Sequence, residues 1–225
     1  MSGYSLETLL KEKPQLHRHG DGSKASWGAG ESVLRFITEH AGPGSKTIET
    51  GGGHSTVAFA LTGAEHHVVF PEPYLQETIT EYLTSKSLPT NQLHFHLGGS
   101  QDVLPGLDVS GFDLALIDGE HAFPMPFLDW YYLGKRMKAG GHLIIDDTQI
   151  WTGQVLRNFL NVEPEWRLVK EVYGTVFFQM VKPWVEKWWG KQNYTVLHSI
   201  LLPDYLRYLP EGALAVMTPI FDKKE

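Results

Sequence analysis

No cysteine occurs among the 225 residues, which excludes disulfides, thiolate zinc sites and cysteine nucleophiles together. Long apolar runs are missing as well. None approaches the roughly 20 residues of a membrane-spanning helix. The opening Met1-Ser2-Gly3-Tyr4-Ser5-Leu6-Glu7 lacks the basic-then-apolar pattern of a signal peptide. Excess positive charge is also absent: 19 Lys and Arg stand against 26 Asp and Glu, a net charge of −7. That balance argues against a nucleic-acid partner, whose phosphates need cations. The chain shows no internal repeat or low-complexity tract. What remains is a cytoplasmic protein with no membrane partner, acting on a small molecule. At 42% hydrophobic and 20% charged it can bury a sizeable core, and its length suits one α/β domain with an extension.

The patterning divides the chain into a polar N-terminal segment (1–30), a central domain (31–182) and an aromatic-rich extension (183–225). A short helix is expected near Leu6–Lys11, then a loop through His17–Gly22. Val33, Leu34 and Ile37 give residues 31–41 a helical stripe, stopped by Gly42-Pro43-Gly44. Strand and helix signals then alternate. Strands are expected at Thr47–Glu49, His67–Phe70, Leu93–Leu97 and Phe112–Ile117, with a fifth after Gly140-Gly141. Helices are expected at Ser55–Leu61, 74–86 and 124–138, the last ending in Lys135-Arg136-Met137-Lys138, cations that suit a helix C-terminus. Arg167–Val172 and Thr175–Val181, separated by Tyr173-Gly174, read as a terminal antiparallel hairpin. The alternation predicts a doubly wound, mostly parallel sheet. Ligands in such sheets bind beyond the carboxyl ends of the strands. The extension, with Trp184, Trp188, Trp189, Leu197, Ile200, Leu201, Leu202, Tyr205, Tyr208 and Leu209, is too apolar for a free linker. It is expected to pack on the domain, with a cover over an active site and a homodimer contact as the other readings.

Three motifs carry chemistry. Glu49-Thr50-Gly51-Gly52-Gly53 links a strand to a helix, and its glycines allow close approach of backbone to a ligand. It lacks the third glycine of a dinucleotide fingerprint and the Gly-Lys-Ser/Thr of a P-loop. Its acidic residue suits a cationic or hydroxyl-rich ligand better than a phosphate. Ser100 and Gln101, after the third strand, offer neutral donors and acceptors for a heterocycle edge; an ordinary turn with Ser100 as helix cap explains them equally. Asp118 and the pair Asp146-Asp147 follow two apolar strands. If those strands are neighbours, the carboxylates converge and repel, and a hard divalent cation such as Mg²⁺ offsets the repulsion. Close by, His121 and Glu120 are rival bases. The plainer reading has Asp147 capping a helix from Thr148 and His121 ordering a loop.

The ordered set Glu-x-Gly-x-Gly, Gly-x-Ser-Gln-Asp-x-x-Pro, Phe-Asp-Leu-x-x-Ile-Asp-Gly-x-His and Gly-Gly-x-x-Ile-x-Asp-Asp resembles class I S-adenosylmethionine-dependent methyltransferases over about residues 30–182. Within them it is similar to metal-dependent O-methyltransferases of the catechol type and of the antibiotic-sugar type. The resemblance implies a seven-stranded Rossmann-like fold. It implies S-adenosylmethionine at Glu49, Gly51, Gly53, Ser100, Gln101 and Asp118, and Mg²⁺ or another divalent cation at Asp118, Asp146 and Asp147. His121 stands where the catechol enzymes carry a lysine base, and Glu120 where the sugar enzymes carry an acid. The family's ribose-binding acid at the end of the second strand is missing from Val68-Val69-Phe70, and Glu72 is its nearest substitute. The implied function is methylation of a hydroxyl on a small acceptor. An inactive or non-methylating nucleoside-binding relative and a metal-dependent hydrolase are the alternatives.

The remaining histidines and aromatics are weaker candidates. His94 and His96 share a strand face, a spacing that can bind metal but more often marks a polar patch. Trp151, just past Asp147, and Trp27, ahead of the first long helix, are candidates to wall a pocket.

Overall fold

The computed structural model describes residues 3–200. Helix α1 (Leu6–Glu12) starts at Ser5, whose hydroxyl accepts the Thr8 N–H. Strands β1 (His17–Arg18) and β2 (Lys24–Ala25) pair as a small antiparallel ribbon where a plain loop was expected. Strands of two residues are too short for alternation to reveal. The main domain follows as α2 (Glu31–His40), β3 (Lys46–Thr50), α3 (His54–Thr62), β4 (Glu65–Phe70), α4 (Pro73–Ser85), β5 (Leu93–Leu97), α5 (Ser100–Val103), β6 (Phe112–Ile117), α6 (Met125–Gly134), β7 (Met137–Ile145), α7 (Trp151–Val162), β8 (Trp166–Val172) and β9 (Thr175–Met180). Helix α8 (Asn193–Ile200) ends the described chain.

The central sheet has seven strands in the order β5-β4-β3-β6-β7-β9-β8. The first five are parallel, and β9 runs antiparallel to both β7 and β8. Strand order reverses between β3 and β6, so a crevice opens there at the carboxyl ends. The sheet separates two apolar layers. One holds Val33, Ile37, Phe59, Val68 and Leu114 under α2 and α3. The other holds Ile48, Ala115, Leu133, Leu143 and Leu156 under α6 and α7. No helix among the described residues is long and apolar enough to cross a membrane.

The helix expected over 124–138 stops at Gly134, and Met137 already belongs to β7. Pairing overrides helix propensity here. The Arg136 carbonyl accepts the N–H groups of Gly111 and Phe112 at 2.7 and 3.0 Å, and Lys138 Nζ reaches Asp113 Oδ1 at 2.9 Å. The basic run begins at the C-cap of α6, Lys135, and its second half, Met137-Lys138, is already strand.

The described part of the extension packs on the domain. Trp184 is buried, with its ring centroid 4.8 Å from that of Trp130. Lys187 Nζ bridges two buried carboxylates, Glu163 Oε2 at 2.9 Å and Glu165 Oε2 at 2.5 Å. Desolvation lowers the lysine's pKa, but the bonds to Glu165 and Glu163 outweigh it and leave the pKa raised. Lys187→Met would strand two adjacent buried carboxylates. Breaking such a pair costs about 3–5 kcal/mol, so the urea midpoint is expected to fall markedly. An unchanged midpoint would show that this contact does not hold the extension. The expected apolar contacts of Leu201, Leu202, Tyr205, Tyr208 and Leu209 lie outside the described residues.

Candidate active site

A cavity of about 850 Å³ opens where β3, β4, β6 and β7 end. Its floor is the turn after β3. Gly51 has φ +86°, and a Cβ there would sit 2.2 Å from the Asp118 carbonyl oxygen. The backbones leaving β3 and β6 are therefore in contact, held by Asp118 N–H to the Thr50 carbonyl at 3.0 Å, while Gly51 N–H to the Val69 carbonyl at 2.9 Å ties the turn to β4. Gly52 lies against Phe70, which is buried at the end of β4.

The sequence candidates fall into two groups. Gly51, Glu72, Ser100, Gln101, Asp118, Glu120, His121, Asp146 and Asp147 all line the cavity. Glu72 sits at the mouth of the β4–α4 turn as the residue preceding the helix. Ser100 is the first residue of α5 rather than its cap, which is Gly99. Glu49 and Gly53 lie beneath the cavity instead of on its wall. Glu49 is fully buried, and its Oε1 accepts from Thr56 Oγ1 at 2.5 Å and contacts His66 Nε2 at 3.2 Å. Thr56 in turn accepts the Gly53 N–H at 3.0 Å, so the glutamate braces the glycine turn from behind. Its Oε2 is buried and has no hydrogen-bond partner among the described residues. Gly53, at φ +151°, leaves room for His17 Nε2, which a Cβ would meet at 2.7 Å.

The carboxylates do converge. Donor atoms of Asp118, His121 and Asp147 all lie within 4.8 Å of one another. His121 Nε2 is 2.9 Å from Asp147 Oδ2. Asp147 has a left-handed backbone (φ +54°) and does not cap α7, which begins at Trp151 after Ile150. Asp146 stands beside this group and accepts from the Thr175 hydroxyl. The pKa of Asp118 is raised well above its ordinary value by desolvation first, then by Asp146, Glu49 and Asp147. That of Asp146 is raised by burial, against the Thr175 hydrogen bond. A group of acids that suppress one another's ionisation is the donor set that a hard divalent cation suits. Together with the orphaned Glu49 oxygen, it also suits a positively charged organic ligand.

Glu120 turns away from this work: its Oε1 accepts the Ala122 N–H at 2.9 Å. Sequence reading passed over Asp129, a fully buried carboxylate on α6. Burial raises its pKa, while the hydroxyls of Ser100 and Thr50 pull it down. An aspartate inside Phe127-Leu128-Asp129-Trp130 was the available signal. Sequence reading also passed over His54 on α3, which reaches the cavity together with His17 of the N-terminal ribbon. Trp27 lines the cavity at its exposed rim.

Residues 48–148 match a family model described as a methyltransferase domain. A comparison with curated protein sequences gives no match. Among solved structures, cofactor-bound Rv0187 from MTB is 15% identical, with a TM-score of 0.61 over 79% of this chain and 89% of that one. The O-methyltransferase TomG from Streptomyces achromogenes, involved in tomaymycin synthesis and solved with S-adenosylmethionine, is 16% identical, with a TM-score of 0.59 over 76% and 88%. An rRNA methylase from Streptococcus thermophilus is 13% identical, with a TM-score of 0.54 over 68% and 96%. At these identities the likeness establishes the fold. The chain thus carries, over residues 48–148, a match to a methyltransferase domain, on a Rossmann-like fold that it shares with methyltransferases of known structure.

Proposed function

We propose that the protein methylates a hydroxyl oxygen of a small acceptor, assisted by a divalent cation. The observation that carries this reading is that one cavity joins the Gly51 turn to the Asp118–His121–Asp147 group. The net charge of −7 and the acidic lining favour a small acceptor over RNA, although an rRNA methylase shares the fold. The O-methyltransferase TomG shares it too.

In this reading the Gly51 turn and Glu72 hold the donor, Ser100 and Gln101 border its adenine, and Asp118 and Asp147 hold the cation with Asp146 beside them. When bound, S-adenosylmethionine supplies an electrophilic methyl group and the cation lowers the pKa of the acceptor hydroxyl. His121 is the favoured base over Glu120. Asp147 accepts its Nε2–H and so leaves the Nδ1 lone pair free to take the acceptor proton. Glu120 is tied to the loop backbone. Glu49 acts as a positioning residue, since it braces the turn from beneath the cavity. Catalysis then rests on alignment of hydroxyl and methyl group, with no covalent intermediate.

Calorimetry with S-adenosylmethionine and its demethylated product tests the donor site. Binding of both is expected, and absence of heat from either would sink the reading. Turnover with metal alone would instead make the chain a hydrolase. Glu72→Ala is expected to weaken product binding about 10- to 100-fold, the equivalent of one or two hydrogen bonds to a charged group. Unchanged affinity would show that Glu72 does not replace the missing strand-end acid.

A further inference from the structure

At the amino end of β4, far from the cavity, four side chains sit side by side. Glu65 and His67 are two residues apart and share a sheet face. The parallel register sets His67 opposite His94 on β5, and His96 follows on the same face. The His67 ring stacks on both, with centroids 4.8 Å from His94 and 5.2 Å from His96. Its Nε2 lies 3.2 Å from Glu65 Oε1, and its Nδ1 lies 2.9 Å from His96 Nε2. Donor atoms of Glu65, His67 and His94 all fall within 4.8 Å of one another. None of the four lines the cavity.

A proton chain accounts for part of this. His96 Nε2–H can donate to His67 Nδ1, and His67 Nε2–H to Glu65. That arrangement leaves His94 without a role, although it is the exposed member of the stack. The reverse tautomer uses all four groups. His67 Nδ1–H then donates to His96, and the Nε2 lone pair faces Glu65 across 3.2 Å, close to the separation of two ligands about 2.0 Å from one tetrahedral ion.

We propose that Glu65, His67 and His94 bind a borderline transition-metal cation of the Zn²⁺ class, with His96 as the outer partner that orients His67. Imidazole and carboxylate ligands select Zn²⁺, Ni²⁺ or Cu²⁺ over Mg²⁺, and a metal-bound histidine ordinarily donates its other N–H to such a partner. His94 is at the surface and can swing inward. Lys46 Nζ, 3.7 Å from Glu65 Oε1, is the cation that the metal displaces. The bound ion staples the edge strand β5 to β4 and takes no part in methyl transfer.

The test is titration of the full chain with ZnCl₂, by calorimetry and by melting temperature, in an Asp118→Asn background that removes the cavity aspartate. One Zn²⁺ per chain is expected, with Tm raised about 5–10 °C at a free concentration about 100 times Kd. His94→Ala, an exposed position whose metal-free Tm should stay unchanged, is expected to weaken binding at least about 10-fold. Glu65→Gln should do the same while keeping the size of the side chain. Cu²⁺ bound in place of Zn²⁺ should show nitrogen splitting in its electron paramagnetic resonance spectrum, lost in His94→Ala. No Zn²⁺ uptake, or uptake unchanged in both variants, overturns the proposal.

Discussion

Asp118→Asn is expected to abolish divalent-cation binding in the cavity and, without added metal, to make the protein more stable. The two effects share one cause. The folded chain raises the pKa of Asp118 through desolvation and through Asp146, Glu49 and Asp147. In the unfolded chain the same carboxyl loses its proton near 3.8. Between that pH and the raised folded value, the native state binds a proton that the unfolded state has lost. Stability from this group is therefore fully present below pH 3.8 and is lost as pH rises through the folded pKa. Asparagine keeps the shape and removes the repulsion. The variant's Tm advantage in EDTA should grow with pH over that window and then level off. A stabilising change of this kind is worth about 1–2 kcal/mol, which for a chain this long is about 2–8 °C in Tm. Mn²⁺ affinity, read by paramagnetic resonance, should fall at least about 100-fold, beyond the 10- to 100-fold typical of an outer-shell partner. Unchanged Mn²⁺ affinity would refute the cation assignment. A lower metal-free Tm would show that Asp118 is stabilised by something other than a missing cation.

The ends of β4, β6 and β7 were legible in the sequence because each apolar run gives way abruptly to proline or acid. Their convergence followed once alternation implied a parallel sheet. What stayed hidden depends on contacts across the chain. His66 and Glu49 are 17 residues apart, and only strand pairing brings them to 3.2 Å and buries the glutamate behind the turn that it appeared to face. Lys135–Lys138 reads as a helix end by composition; Lys135 does cap α6, but pairing of Phe112 with Met137 turns the second half of the run into strand. The β1–β2 ribbon is two residues per strand, so no period exists to detect. The plainer reading of Asp147 as a helix cap fails, because its left-handed backbone turns the chain before α7 and leaves its carboxylate for His121.

Gly51→Ala is expected to have the largest effect on the donor site. Two penalties add there. The backbone at φ +86° is one that side-chain-bearing residues rarely adopt, and the new Cβ would lie 2.2 Å from a backbone oxygen of Asp118. The first penalty is about 1–2 kcal/mol, and forced overlap in a packed region adds about 1–3 kcal/mol. The oxygen cannot retreat cheaply, because Gly51 N–H and Asp118 N–H each hold their strand ends in the sheet. Relief must come from moving the turn, which is the floor of the cavity. Product binding should fall at least about 100-fold, nearly 3 kcal/mol, with a lower urea midpoint. Gly140→Ala separates the two terms. Gly140 has nearly the same backbone, φ +89°, but a Cβ there meets nothing within 4 Å. It should carry the conformational penalty alone and leave product binding intact. If the two variants unfold at the same urea concentration and bind product equally well, the close approach of β3 to β6 is not what shapes the donor site.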